Sequence, residues 1–66
     1  MRTDDERAEL ALAWGRSHDA GALAEDLVGR WRRGDDSLAF RATLEPYAGV
    51  VVLAILWGDV VPAPEP

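Results

Sequence analysis

Ser17, His18 and Asp19 stand side by side and supply a hydroxyl, an imidazole and a carboxylate. Those are the three groups of a hydrolytic relay. The relay needs them to converge from separated segments, and adjacent positions on one backbone cannot do that. The triplet therefore reads as a connector, with Ser17 or Asp19 available to cap the helix that follows. His18 is the only histidine of the chain. It is thus the only side chain whose unperturbed pKa lies between about 5 and 8. His18 with Asp19, or Asp35 with Asp36, offers oxygen and nitrogen ligands. Neither pair has the spacing of a calcium loop, and zinc needs more nitrogen or sulfur donors than one histidine and no cysteine provide. No metal and no cofactor is expected. The six glycines are scattered and no Gly-Lys pair exists, so no phosphate-cradling loop is present. With no cysteine, no lysine, one histidine and one tyrosine, few nucleophiles or general bases remain, and the residue types point away from an enzyme.

Arg30-Trp31-Arg32-Arg33 is the one local basic cluster. Guanidinium groups beside an indole can grip phosphate or stack on bases. With Arg41, which follows on the next helix, Arg30, Arg32 and Arg33 make the candidate nucleic-acid contact. The same arginines complement the dipole of a helix that ends there. Asp35 and Asp36 follow at once and offset much of the charge. A sequence pI near 4.5 and a net charge of −5 also argue against generic binding to phosphates. Nucleic acid is therefore the runner-up partner, in the form of a small dimeric regulator. Asp4, Asp5, Glu6 and Glu9 form an acidic N-terminal face, and a decoy that occupies a basic partner is a further alternative. Arg33-Gly34-Asp35 spells an adhesion tripeptide, but three-residue matches arise by chance and Gly34 has a capping use.

These groups must be positioned by helices. Thr3 followed by Glu6 has the spacing of a capping box, and Asp4, Asp5 and Glu6 place negative charge on a first turn. The first helix is predicted over about Asp4 to Arg16, with Leu10, Ala13 and Trp14 sharing its apolar face and Ala11 at its edge. The second is the most regular: Ala20, Leu23, Ala24, Leu27, Val28 and Trp31 fall on one stripe at a period of 3.6 residues. Asp26 and Arg30 sit off it as an i,i+4 pair, and Gly34 is placed to end it. Asp35, Asp36 and Ser37 are all suitable caps for a third helix, in which Leu38 and Ala42 share one face and Phe40 and Leu44 an adjacent one. Pro46 would cost about 3 kcal/mol inside a helix but little in a first turn. The chain is therefore expected to break near Thr43–Pro46 and restart, with Thr43 a possible cap; a single kinked helix is the alternative.

Tyr47 to Trp57 has no polar face. Three consecutive valines favour a strand, whereas length and neighbours favour a helix, and helix is the expectation. Gly58 and Asp59 end it. A proline-rich tail, residues 60–66, reads as extended. The chain thus predicts a single all-α domain over residues 1–59, a bundle of three or four helices, with a tail behind it.

A helix that is apolar all round must be covered all round. Three short partners shield only part of its circumference. Two large side chains left wet would forfeit about 3–6 kcal/mol, comparable to the whole stability of so small a domain. Twofold self-association is the commonest cover. Tyr47, Val50, Val51, Leu53, Ala54, Ile55 and Trp57 are the candidate interface, with the aromatic residues as anchors. Cover by the tail, with Val60 and Val61 folding back, is the competing arrangement.

The 66 residues allow one domain, and 48% apolar content is too high for disorder. Arg2 to Arg7 is charged and lacks the apolar stretch of an export signal, and the Tyr47–Trp57 helix would reach about half the hydrocarbon thickness of a bilayer. A cytoplasmic protein without a membrane span is expected. Basic residues that are all arginine, with a single isoleucine and no asparagine or glutamine, fit the coding bias of a GC-rich bacterium or its virus. The functional expectation is a non-catalytic helical module that binds itself or another protein through its apolar C-terminal helix.

Overall fold

The computed structural model describes residues 2–58. Asp59 and the tail read as extended over residues 60–66 lie outside the described residues, as does any cover the tail provides. Four helices follow in order: α1 (Asp4–Ser17), α2 (Gly21–Arg33), α3 (Leu38–Thr43) and α4 (Pro46–Gly58). The all-α bundle expected from the sequence is what forms, and the valine run lies in a helix.

Local chemistry sets the ends. The capping box at the start of α1 is complete: the Glu6 amide donates to Thr3 Oγ1 at 3.2 Å and the Thr3 amide to Glu6 Oε1 at 2.9 Å. Gly34 closes α2 in the left-handed conformation, with φ of 69°. Pro46 is the first residue of α4, where its missing N–H costs no helical bond.

Three expected caps are not used. Ser17 belongs to α1, where its hydroxyl donates back to the Ala13 carbonyl at 3.0 Å. The cap of α2 is Ala20, with no side-chain bond, and Asp19 instead takes the turn at φ of 57°. Thr43 donates its hydroxyl to the Phe40 carbonyl at 2.6 Å rather than opening α4.

One core joins all four helices. Leu23, Ala24, Leu27 and Val28 of α2 are buried, as their stripe predicts, and Leu38 and Ala42 of α3 join them. On α1 the buried face is Ala8, Ala11, Trp14 and Gly15. That corrects the expected face: Leu10 is only half-buried and Ala13 is exposed. Small residues win there because α1 and α2 approach closely. A Cβ on Gly15 would sit 2.6 Å from that of Ala24.

α2 and α4 form the centre: each packs against the other three helices, whereas α1 and α3 do not meet. The molecule measures 34 × 27 × 16 Å along its principal axes. Helices pack 8–10 Å apart, so a thickness of 16 Å holds about two layers. A central helix in a two-layer arrangement keeps one side uncovered.

Candidate interaction surface

Val52, Ile55 and Leu56 of α4 point into the core and are essentially inaccessible, while Ala48, Val51 and Leu53 are half-buried against it. Tyr47, Val50 and Trp57 stand out at 70%, 63% and 56% exposure. Tyr47, Val50, Ala54 and Trp57 fall at i, i+3, i+7 and i+10, which places them on one face of a helix, opposite Val52 and Leu56. The small half-buried Ala54 lies between the larger side chains.

Of the seven candidate interface residues, Tyr47, Val50 and Trp57 are therefore on the open surface, and Val51, Leu53 and Ala54 flank it. Ile55 is not available: at 1% exposure it belongs to the core. The expectation for it fails because a helix without a polar face has no phase that identifies its inner side.

Two further large apolar residues are open, and the interface expectation missed both. Phe40 is 70% exposed and Leu44 58%. They sit four apart, Phe40 on α3 and Leu44 at its C-cap, with Leu38 and Ala42 buried behind them. All five exposed large apolar side chains among the described residues thus lie between positions 40 and 57, on α3, its C-cap and α4. The i,i+4 spacing of Phe40 and Leu44, offset from that of Leu38 and Ala42, was the available signal.

The arginines are arranged differently from a nucleic-acid face. Arg30 Nε donates to both Asp26 carboxylate oxygens, at 3.1 and 3.3 Å, and Arg30 Nη1 reaches Asp35 Oδ2 at 3.2 Å and Ser37 Oγ at 2.6 Å. Arg41 Nε lies 3.0 Å from Asp26 Oδ2, so Asp26 bridges α2 and α3. Arg32 Nη2 pairs with Asp5 Oδ1 of α1 at 3.1 Å. Arg33 is exposed, and Trp31 is half-buried against the core. Three of the four candidate phosphate contacts thus hold aspartates. The same pairs draw Asp5 out of the acidic N-terminal face, and Glu6 of that face is engaged in its cap.

No family model matches this chain, and neither does any curated protein or solved structure. The site must be read from its own geometry.

The Ser17-His18-Asp19 triplet is committed to the end of α1. The His18 ring stacks on Trp14 with centroids 4.4 Å apart and planes 15° from parallel. His18 Nδ1 lies 2.9 Å from the Trp14 carbonyl oxygen; a carbonyl only accepts, so this contact assigns the ring proton to Nδ1. The Ser17 proton is directed at helix carbonyls. Ser17 Oγ also lies 3.4 Å from His18 Nδ1, but with the Nδ1 proton directed at the Trp14 carbonyl that nitrogen cannot accept the hydroxyl proton.

The Asp35 carboxyl is held below its ordinary value. The Ser37 amide, which donates to it at 2.8 Å, is the main cause, followed by the Ser37 hydroxyl, with the Arg30 and Arg33 guanidinium groups adding to it. Among the described residues no three His, Asp or Glu side chains converge as a metal ion would require. Among the described residues no helix is long and apolar enough to cross a membrane. A surface depression of about 690 Å³ runs along α1 between Arg2 and Arg16 and has no second helix as a wall.

Proposed function

We propose that this chain is a non-catalytic interaction module that self-associates through the outer face of α4. One observation carries the reading: Tyr47, Val50 and Trp57 project into solvent from a single stripe on α4, one of the two helices that pack against all the others. Full burial of such a side chain stabilises by about 1.5–3 kcal/mol. A twofold interface is self-complementary, so each residue of the stripe counts twice. Aromatic residues at both ends and a small residue between them suit close helix–helix approach.

The nucleic-acid reading has less support, because Arg30, Arg32 and Arg41 face carboxylates at about ion-pair distance. Phosphate would have to displace Asp5, Asp26 and Asp35 first. The decoy reading has less support for the same reason, since its acids are partly spent.

The test is isotope-filtered nuclear Overhauser spectroscopy on a mixture of labelled and unlabelled chains. Contacts between chains from the Val50 methyls to the Tyr47 or Trp57 rings are expected. Absence of such contacts at millimolar concentration, with the chain fully folded, rejects the reading.

A further inference from the structure

We propose that the groove between the C-terminal turns of α2 and α4 and the start of α3 binds a cationic side chain, arginine or lysine, presented by a partner protein. The groove has a volume of about 370 Å³. Trp31 and Trp57 line it from two different helices, the buried Leu38 contributes its apolar base, and Asp35 and Asp36 stand at its edge.

The two carboxylates differ. Asp35 is engaged by the Ser37 amide at 2.8 Å and by Arg30 at 3.2 Å. Asp36 is exposed and makes no side-chain hydrogen bond or ion pair among the described residues. The groove therefore joins two indole rings to one uncommitted negative charge. An indole face attracts a cation, and the aliphatic stem of arginine or lysine can lie along the apolar wall while its head meets the carboxylate. An anionic ligand would meet Asp36 as a like charge, and a purely apolar one would desolvate it without recompense.

The chain's own tail does not supply the cation. Residues 59–66 carry Asp59 and Glu65 and no basic side chain. The net charge of −5 draws a basic partner from a distance. The inference does not rest on self-association: apart from Trp57, the residues that line the groove lie outside the α4 stripe.

The three indole N–H groups report on this directly in a proton–nitrogen correlation spectrum, with the buried Trp14 as internal reference. The probe is the peptide acetyl-Gly-Arg-Gly-Arg-Gly-amide, compared with its uncharged citrulline counterpart. The arginine peptide is expected to move the Trp31 and Trp57 signals saturably and leave that of Trp14 in place, with the citrulline peptide inert. Asp36→Asn should weaken the binding by about fivefold or more. Its solution mass should equal that of the wild type, since the change keeps the side chain's size and leaves Tyr47, Val50 and Trp57 intact. No saturable shift up to about 10 mM peptide overturns the proposal. So does an equal response to citrulline, unchanged affinity in Asp36→Asn, or movement of the Trp31 signal on concentrating the protein alone, which would make a second copy the occupant. A monomeric chain that still binds the arginine peptide upholds the groove and contradicts self-association. A dimer that ignores the peptide does the reverse.

Discussion

Gly49 of α4 lies against the backbone of Ala42 in α3 so closely that a Cβ at residue 49 would overlap the Ala42 carbonyl oxygen and sit 2.9 Å from Ala42 Cα. Alanine is normally preferred to glycine inside a helix by about 1 kcal/mol. Here the overlap outweighs it, because a backbone carbonyl in a packed hairpin cannot step aside. Gly49→Ala should destabilise the protein by about 1–3 kcal/mol in urea unfolding. Gly29→Ala is the matched control: its Cβ would meet only the mobile end of Arg33, at 3.3 Å. That change should stabilise by about 0.5–1 kcal/mol. Two changes of one kind with equal sign would contradict the close approach of α3 and α4.

Asp19 holds the α1–α2 turn with a positive φ. Asp and Asn tolerate that region, whereas a β-branched side chain does not. Asp19→Val should cost about 1–2 kcal/mol and Asp19→Gly should cost little. Thermal unfolding of the two variants separates this backbone effect from loss of charge, which they share.

Asp35 sets a sign for the acid limb of stability. Its carboxyl is held below the ordinary carboxylate value in the folded chain, first because of the Ser37 amide. A depressed folded value means that the contribution is present above the unfolded carboxylate range and is lost as pH falls through the folded value. Asp35→Asn should lower stability at neutral pH and flatten its decline in acid. An unchanged acid limb would contradict the Ser37–Asp35 bond.

How far the sequence reveals this arrangement depends on polar contrast. In α2, Glu25, Asp26 and the arginines flank Leu23, Ala24, Leu27 and Val28, so the inner face is fixed before any packing is known. The break at Pro46 and the cap at Gly34 follow from local backbone chemistry and are equally legible. In α1 the face is misread, because Ala8, Ala11 and Gly15 are chosen for their small size against α2 and not for hydrophobicity. In α4 no polar residue sets the phase. That three short helices leave part of α4 open is visible in the sequence, but which of Val50, Leu53 and Ile55 remains open is decided by those neighbouring helices.

That distinction yields a paired prediction. Val50 is open, whereas Leu53 packs against the core. Val50→Glu should separate the copies and keep the helical circular dichroism of the wild type. Leu53→Asp buries part of a charge and should unfold the chain, at about the cost of an unpaired buried polar group. Equal helicity loss in both would show that position 50 is not a surface residue.

The most direct measurement is the mass of the unmodified chain by sedimentation equilibrium from about 5 µM to 500 µM, a range that captures dissociation constants of ordinary weak dimers. Self-association through α4 predicts a mass that rises from 7.2 kDa toward twice that value, and a loss of the rise in Val50→Glu. A folded species that stays at 7.2 kDa throughout would contradict it.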